Sequence, residues 1–290
     1  MNRQKTALVT GASSGIGYAT ALEFQKRGYK TFACARRLEP MADLEREGVT
    51  VFQLDVSDLE SVRRAKRYLQ EATNGYLDVL FNNAGQSCTF PALDVTDDQF
   101  TQCFQVNVFG PIRMTRELAP LLINARGVVG FTGSVSGIVP FPFSSVYSST
   151  KSAIHQFAAC LRLELKPFGV KVINIITGGV KTNIQDTRPL PETSLYNVPG
   201  IKESMDERRA MAAKNNPMDP KSYAFKVVND FENASLDGRL NYYRGHMATI
   251  LTWIMLCCPR FLVERSLVRK FRLTNIFAYL KERYLKHKIE

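Results

Sequence analysis

The chain has 290 residues, of which 45% are hydrophobic and 22% are charged. This composition is typical of a folded domain and excludes a long disordered or fibrous chain. Six cysteines lack the spacing of a metal site or a disulfide framework, so we expect reduced, mostly buried thiols and no bound metal. A strand is predicted to begin within the first six residues, so no secretory signal peptide is expected.

The net charge of +11 is unevenly distributed. Residues 244–290 contain ten Lys or Arg and three Asp or Glu, whereas residues 1–243 contain 28 basic and 24 acidic residues. This excess predicts that the C-terminal part contacts an anionic partner. Nucleic-acid-binding modules interleave basic with aromatic residues, and the sequence has no such motif, so a membrane surface is favoured over nucleic acid.

The first predicted element is a short buried strand over residues 6–9. It leads into T-G-A-S-S-G-I-G, residues 10–17, and then into a helix predicted over residues 18–27. Glycines permit a tight turn and close backbone approach, and the N–H groups at a helix N terminus bind phosphate. This arrangement predicts a dinucleotide-binding turn, although the spacing G-x-x-x-G-x-G differs from the common G-x-G-x-x-G.

The same turn also fits a second function. Gly11-Ala12-Ser13-Ser14-Gly15 matches G-x-S-x-G, the nucleophile elbow of lipases, which likewise lies between a strand and a helix. A serine-type lipid ester hydrolase, such as a triacylglycerol lipase, is therefore an alternative from another class of enzyme. The three histidines, His155, His246 and His287, reveal no Asp–His pair that would serve this nucleophile.

The second predicted strand, residues 30–35, ends in Arg36 and Arg37. An acidic residue here would bind the ribose 2′-hydroxyl of NAD, whereas arginine accommodates the 2′-phosphate of NADP. NADPH is therefore the expected cofactor. The third strand, residues 49–54, is followed by Asp55 at its carboxyl end, where ligands bind in open α/β sheets.

The fourth strand, residues 77–81, runs into N-N-A-G, residues 82–85. Asn83 in this motif either ties neighbouring strands together or contacts the cofactor. Residues 96–122 are predicted to be mostly helical. Asn107 lies inside this stretch, where asparagine is unfavourable by propensity, which indicates a specific role.

Tyr147 and Lys151 lie four residues apart in a helix predicted over residues 144–166, so their side chains share one face. A nearby cation favours the phenolate, so we expect Lys151 to lower the pKa of Tyr147 and to allow proton exchange near neutral pH. Ser134 lies at the carboxyl end of the fifth strand, residues 127–132 and the following glycine. These three side chains are therefore expected to meet at one edge of the sheet.

Alternating strands and helices predict an α/β fold with a doubly wound parallel sheet in a single Rossmann-like domain. A sixth strand over residues 171–176 precedes an insertion, residues 185–217, which we interpret as a lid over the substrate site. Residues 219–233 are predicted to form a helix and residues 239–243 a seventh strand.

The C-terminal tail, residues 246–290, is predicted to be a hydrophobic and basic extension of the domain. Residues 247–258 are apolar but too few for a transmembrane helix, and residues 259–287 read as one basic amphipathic helix. This pattern favours a segment that lies on a membrane surface. The alternative is a helix that packs on the domain or at a dimer interface.

The order of these motifs resembles the classical short-chain dehydrogenase/reductase family over residues 5–245. T-G-A-S-S-G-I-G, N-N-A-G, Asn107, Ser134 and Y-S-S-T-K carry the resemblance. It implies one NADPH-binding and catalytic domain over residues 1–245 and a catalytic tetrad of Asn107, Ser134, Tyr147 and Lys151. One departure is Gly178-Gly179, where the family often has Pro-Gly, which we expect to loosen the loop beside the nicotinamide.

The cofactor contacts expected from the residues and from the resemblance together are Gly11, Ser13, Ser14, Ile16, Arg36, Arg37, Asp55, Asn83, Arg116, Tyr147, Lys151, Val180 and Thr182. Arg116 rests on the resemblance alone, because no physical argument from the sequence supports it.

Four further stretches resemble a fungal branch of the family that reduces 1-acyldihydroxyacetone phosphate. They are A-C-A-R-R-L-E-P-M, N-N-A-G-Q-S-C-T-F-P-A-L-D, I-T-G-G-V and R-P-L-P-E-T-S. The likeness implies reduction of a lipid ketone in phosphatidate and ether-lipid synthesis, on lipid droplets and the endoplasmic reticulum. A retinoid or steroid ketone is the rival substrate within the family, which also often forms homo-oligomers.

In the mechanism that the family implies, Tyr147 donates a proton to the developing alkoxide and Ser134 hydrogen-bonds the same oxygen. Lys151 lowers the tyrosine pKa and binds the ribose, and Asn107 positions a water that relays protons to Lys151. Lys181, Arg188 and Lys202 are the candidates for binding the substrate phosphate.

Overall fold

The structure is a computed structural model that describes residues 3–285. Within this range seven strands form one parallel sheet in the order β3-β2-β1-β4-β5-β6-β7. The strands are β1 (Thr6–Thr10), β2 (Lys30–Ala35), β3 (Thr50–Gln53), β4 (Val79–Asn82), β5 (Val128–Ser134), β6 (Lys171–Thr177) and β7 (Asn241–Arg244). This sheet confirms the predicted doubly wound fold and all seven predicted strands.

Helices connect successive strands and cover both faces of the sheet, and within residues 3–285 three further helices follow β7. In chain order they are α1 (Gly15–Lys26), α2 (Ala42–Arg46), α3 (Leu59–Ala72), α4 (Asp97–Phe104), α5 (Gly110–Ala125), α6 (Ser145–Leu165), α7 (Ile201–Lys214), α8 (Pro220–Glu232), α9 (Ala248–Cys257), α10 (Arg260–Lys270) and α11 (Leu273–Leu285). Short 3-10 turns lie at Glu39–Met41, Ala92–Asp94, Val135–Gly137 and Lys166–Phe168.

Two apolar cores lie on the two faces of the sheet, because its central strands are apolar on both sides. Helices α3, α5 and α6 cover one face, with buried side chains such as Leu69, Leu118 and Ile154. Helices α1 and α8 cover the other, where Phe24 and Phe231 pack edge to face with ring centroids 5.6 Å apart.

A third core lies beyond the carboxyl ends of the strands. It joins the segment after β5 (Phe141), helix α7 (Ile201, Met205) and the tail (Phe271, Ile276). The tail therefore packs against the predicted lid over the described residues, while residues 286–290 lie outside them. No helix within residues 3–285 is both long enough and apolar enough to span a membrane.

Two predicted helices are interrupted. The prediction of a single helix over residues 259–287 is wrong, because Arg272 adopts a left-handed φ of 56° that separates α10 from α11. The helix predicted over residues 96–122 contains a π-helical segment, Gln105–Phe109, between α4 and α5. Asn107 lies inside this segment, and such single-turn widenings often occur at functional sites.

Candidate active site

A cavity of about 1340 Å³ opens at the carboxyl ends of the strands. The glycine-rich turn and the ends of β2 to β6 line one part of it, and the lid and tail line the other. Its volume exceeds the range of roughly 300–1,000 Å³ that is usual for one small ligand. The cavity therefore has room for a dinucleotide and a second molecule.

The glycine-rich turn approaches neighbouring backbone too closely for larger residues. Gly11 has a φ of 67°, and a Cβ there would lie 2.7 Å from the Cα of Ala84. A Cβ on Gly17 would lie 2.4 Å from the Gly11 carbonyl oxygen. Ser14 precedes α1 without capping it through its side chain. The N–H groups of the first turn are therefore available to a phosphate in the cavity.

Arg36 and Arg37 lie exposed where β2 ends, and both line the cavity. Within residues 3–285 neither guanidinium forms an ion pair, so both are available to a 2′-phosphate. Asp55 lines the same region, and its Oδ1 accepts hydrogen bonds from the backbone N–H and the hydroxyl of Ser57 at 2.9 and 2.6 Å. This set of donors and charges fits NADPH.

Asn83 connects the ends of three strands. Its Nδ2 donates to the carbonyl of Thr10 at 3.0 Å, and its Oδ1 accepts from the hydroxyl of Thr132 at 3.1 Å. Asn83 also lines the cavity. The amide therefore ties β1 and β5 to the end of β4, which is the structural role, while a cofactor contact by this residue stays a prediction.

Tyr147 and Lys151 face the cavity from α6, as their spacing predicts. The Lys151 ammonium lies 5.7 Å from the centre of the Tyr147 ring and donates to the carbonyl of Thr132 at 2.8 Å. The Ser134 hydroxyl hydrogen-bonds the phenol. Three members of the predicted tetrad thus meet around one point of the cavity.

The ionisation of this pair differs from the prediction. Burial raises the pKa of Tyr147 to about 12, although the hydrogen bond with Ser134 acts in the opposite direction. Burial also lowers the pKa of Lys151 to about 8. The expectation that Lys151 brings the tyrosine pKa towards neutrality is therefore wrong for the chain by itself, because desolvation outweighs the opposing effects of Ser134 and Arg208. A phenol that stays protonated at neutral pH is ready to donate a proton.

Asn107 lies one layer behind the cavity wall. Its side chain is buried, its Oδ1 accepts from the Gln86 N–H at 2.9 Å, and its Nδ2 donates to the Gln86 carbonyl at 3.0 Å. The same Nδ2 lies 3.1 Å from the hydroxyl of Thr150, beside Lys151. Asn107 therefore fixes the loop after β4 against α6, and its predicted water relay stays a prediction.

The loop after β6 is closely packed, contrary to the expectation that two glycines loosen it. Gly178 and Gly179 donate to the carbonyls of Arg244 and His246 at 2.8 and 2.9 Å. A Cβ on Gly178 would lie 2.2 Å from the His246 carbonyl oxygen. Glycine is therefore required there by close packing, and it places Val180 and Thr182 on the cavity wall.

The remaining predicted cofactor contacts fall into two groups, those that line the cavity and one that does not. Gly11, Ser13, Ser14 and Ile16 all line the cavity. Arg116 does not, because its guanidinium lies on the exposed side of α5 and pairs with Glu117 at 3.0 Å.

Two residues of the site were missed by the sequence analysis. His155 follows Lys151 by four residues, so the helical spacing itself would place it on the catalytic face. Its Nε2 accepts from the Ser134 N–H at 3.1 Å, so this nitrogen does not activate a serine hydroxyl. Arg208 lines the cavity from α7, and no sequence pattern separates it from other basic residues of the lid.

A fold with a glycine-rich turn, a parallel sheet and a Ser–Tyr–Lys site defines a nucleotide-dependent dehydrogenase. Residues 5–192 match the family model described as short chain dehydrogenase, and the chain belongs to that family. The chain is 49% identical to the NADPH-dependent 1-acyldihydroxyacetone phosphate reductase of Saccharomyces cerevisiae, over 97% of this chain and 95% of that protein.

Two further comparisons agree with this membership. The chain is 36% identical to the protein of the same name in Schizosaccharomyces pombe, over 84% of this chain and 82% of that one. A solved short-chain dehydrogenase from Streptomyces avermitilis matches with a TM-score of 0.77 at 28% identity, over 95% of this chain and 98% of that one.

Proposed function

We propose that this protein reduces the ketone of 1-acyldihydroxyacetone phosphate to 1-acylglycerol 3-phosphate with NADPH. The observation that carries the proposal is the 49% identity to a reductase of that name over 97% of the chain, tail included. The side chains of Ser134, Tyr147 and Lys151 in the cavity and the free arginines at the end of β2 support the reaction type and the cofactor.

The walls of the cavity support a substrate with an acyl chain. Helices α9 and α10 contribute several apolar residues to the lining of the cavity that contains Tyr147. These apolar residues are Leu251, Ile254, Met255, Val263 and Leu267. An apolar channel beside a polar catalytic centre suits a molecule with a hydrocarbon chain and a polar head.

The cofactor supplies a hydride when it is bound. Tyr147, neutral at physiological pH, donates its proton to the oxygen that becomes the alcohol, and the Ser134 hydroxyl hydrogen-bonds that oxygen. Lys151 contributes a positive charge while negative charge develops on the substrate oxygen. Asn107 keeps the loop after β4 in place. Charge stabilisation that is strongest in the transition state is what accelerates such a step.

The test is NADPH oxidation by the purified full-length protein with three ketones. Turnover with 1-acyldihydroxyacetone phosphate, and little with dihydroxyacetone phosphate or a steroid ketone, is expected because only the first fills both parts of the cavity. Turnover with the steroid or a retinoid alone would replace the proposed substrate. Ester hydrolysis that is lost in Ser13→Ala and retained in Tyr147→Phe would favour the lipase alternative.

The tail is proposed to bind a lipid surface, on lipid droplets and on the cytosolic face of the endoplasmic reticulum. Helix α9 lines the cavity with one side and exposes Ile250, Trp253 and Leu256 on the other. Phe261 is also exposed, next to basic residues of α10. Apolar side chains among cations are typical of interfacial helices.

Sedimentation with anionic vesicles tests this surface. Trp253→Ser with Leu256→Ser should weaken binding, whereas Leu93→Ser, a change at a similarly exposed leucine in the 3-10 turn Ala92–Asp94, should leave it unchanged. Equal loss of vesicle binding in the tail variant and in the control, or no loss in either, would reject the tail as the membrane contact.

Self-association is proposed through helix α6, which carries Tyr147 and Lys151, and the helical segment that contains Asn107. Phe109 next to α5 and Leu163 on α6 expose large apolar side chains, 43% and 73% exposed. Light scattering should show a dimer or tetramer that Leu163→Glu dissociates, and a monomeric wild-type protein would reject this interface.

A further inference from the structure

Arg208 is a buried cation at the substrate end of the cavity. Its side chain lies on α7, is only 7% exposed and lines the cavity wall. Within residues 3–285 no carboxylate forms an ion pair with it, and burial lowers the pKa of its guanidinium to about 10. A buried charge without a counter-charge costs free energy unless a ligand compensates it.

The guanidinium is fixed rather than free to reach solvent. Its Nε donates to the Pro142 carbonyl at 3.2 Å, and its Nη2 donates to the hydroxyl of Ser144. Its central carbon lies 5.0 Å from the centre of the Phe141 ring. These contacts engage one edge and one face of the group, and no hydrogen bond within residues 3–285 is made by Nη1.

The other arginines of this region are neutralised. Arg188 forms a bidentate ion pair with Asp186, with its Nη2 at 2.6 Å. Arg209 lies 3.5 Å from Asp206 and donates to the Arg188 carbonyl. Lys181 and Lys202 are exposed and do not line the cavity. Of the predicted phosphate ligands, only Arg188 therefore reaches the cavity, and its charge is already matched.

Arg208 also lies within electrostatic range of Tyr147, since each group affects the ionisation of the other. In a 3-phosphorylated dihydroxyacetone the phosphate ester is attached to the carbon next to the ketone. A ketone oxygen held by Tyr147 therefore keeps the phosphate close to the tyrosine, in the cavity that Arg208 also lines.

We propose that Arg208 binds the phosphate group of the substrate and so selects phosphorylated over unphosphorylated ketones. The proposal rests on the proposed reduction of an acylated ketone phosphate. Guanidinium groups bind phosphate through paired, charge-assisted hydrogen bonds, which lysine does not reproduce in geometry. The dianion would supply the counter-charge that the protein does not provide to Arg208.

The experiment compares two substrates that differ only in the phosphate, 1-acyldihydroxyacetone phosphate and 1-acyldihydroxyacetone. In Arg208→Gln, kcat/KM for the phosphorylated ketone should fall about 100-fold, while the value for the unphosphorylated ketone should change by less than about 3-fold. Arg208→Lys should recover part of the loss, because it restores the charge. Arg209→Gln, the matched control, should affect both ketones equally.

A purely structural role for Arg208 predicts a different result. Loss of the contacts with Pro142 and Ser144 would lower activity towards both ketones by the same factor and would reduce thermal stability. Equal loss of activity, or no loss, in Arg208→Gln overturns the proposal. If the variant does not fold, the same comparison is made with Arg208→Lys, whose ratio of the two kcat/KM values should still shift towards the unphosphorylated ketone.

A second measurement separates this proposal from the proposed function. Calorimetry on protein saturated with NADP⁺, so that the cofactor site is filled, measures binding of 1-acylglycerol 3-phosphate and of the unphosphorylated monoacylglycerol. A preference for the phosphorylated lipid that disappears in Arg208→Gln supports the site even if neither ketone is reduced, and in that case only the proposed reaction fails. No preference in the wild-type protein overturns the site.

Discussion

The imidazole of His155 accepts a hydrogen bond from the backbone N–H of Ser134, with 3.1 Å between Nε2 and the amide nitrogen. The ring lies between Gly133 and Gly137, where added Cβ atoms would lie 2.7 and 2.6 Å from it. Burial and the neighbouring Lys151 lower the pKa of His155 to about 4. The neutral ring therefore positions the main chain that carries the catalytic serine.

This contact predicts a loss of stability in mild acid. The folded-state pKa of His155 is about 4, against 6.5 for a free imidazole, so the unfolded chain binds more protons between these values. Stability is therefore lost as the pH falls through this window, by roughly 1–3 kcal/mol from this residue. Urea unfolding at several pH values should show a steeper decline for the wild type than for His155→Gln. Parallel curves of unfolding free energy against pH for the two proteins would contradict this prediction.

Tyr147→Phe removes the proton donor and little else, because the ring stays in its packed position. We expect kcat to fall by about 10²–10⁴-fold, the usual contribution of general acid catalysis, while the affinity for NADPH stays within about 3-fold. Stopped-flow turnover and NADPH fluorescence measure the two quantities. Tyr68→Phe, on the exposed side of α3, is the control, and an active Tyr147→Phe enzyme would remove the tyrosine from the mechanism.

The lowered pKa of Lys151 predicts how activity depends on pH. Below about pH 8 its ammonium is charged, and above that value the charge beside the phenol is lost. The kcat/KM for ketone reduction should therefore be level at neutral pH and decline above about pH 8, with a slope of one on a logarithmic scale. Circular dichroism at each pH serves as the control for unfolding. A profile that stays level to about pH 10 would mean that Lys151 keeps its proton throughout.

The arginines at the end of β2 should decide between the two cofactors. Arg36→Ser with Arg37→Ser removes both guanidinium groups from the cavity edge, so KM for NADPH should rise about 10- to 100-fold while KM for NADH changes little. Steady-state kinetics with both cofactors gives the ratio. Arg46→Ser, an exposed arginine on α2, should leave the ratio unaltered, and a double variant that keeps the wild-type preference would exclude the 2′-phosphate contact.

Two glycines with positive φ provide a matched pair for the cofactor turn. Gly28, with a φ of 81°, has open space around it, so Gly28→Ala costs only the backbone strain of about 1 kcal/mol. Gly11→Ala adds a clash with Ala84 to the same strain and should destabilise the fold further and weaken NADPH binding. Thermal unfolding and cofactor titration compare the two. Equal effects on both measurements would show that the turn tolerates a side chain.

The sequence predicted the features that depend on local pattern. The seven strands follow from short apolar runs, and α3 begins where Asp58 caps a strongly amphipathic stretch. Tyr147 and Lys151 share a face because helical spacing fixes it. Asn107 was singled out by its poor propensity, and the structure explains the anomaly with a π-helical turn.

The features that were missed depend on contacts between distant parts of the chain. The low pKa of Lys151 and the high pKa of Tyr147 result from burial, which no local pattern records. Arg208 differs from Arg209 in its burial and in lacking an ion pair with a carboxylate, and both differences depend on how α7 packs. The break at Arg272 follows from the burial of Phe271 beneath the lid, whereas the helical pattern of the tail continues through it.

The third core has a mechanical consequence. The Ser204 hydroxyl of α7 donates to the carbonyl of Phe271, whose ring is fully buried, so a hydrogen bond and a shared apolar core join the predicted lid to the tail. Packed contacts therefore connect α9 and α10 to the helix that carries Arg208. The surface that we propose binds lipid and the residue that we propose binds the substrate phosphate would thus belong to one connected unit.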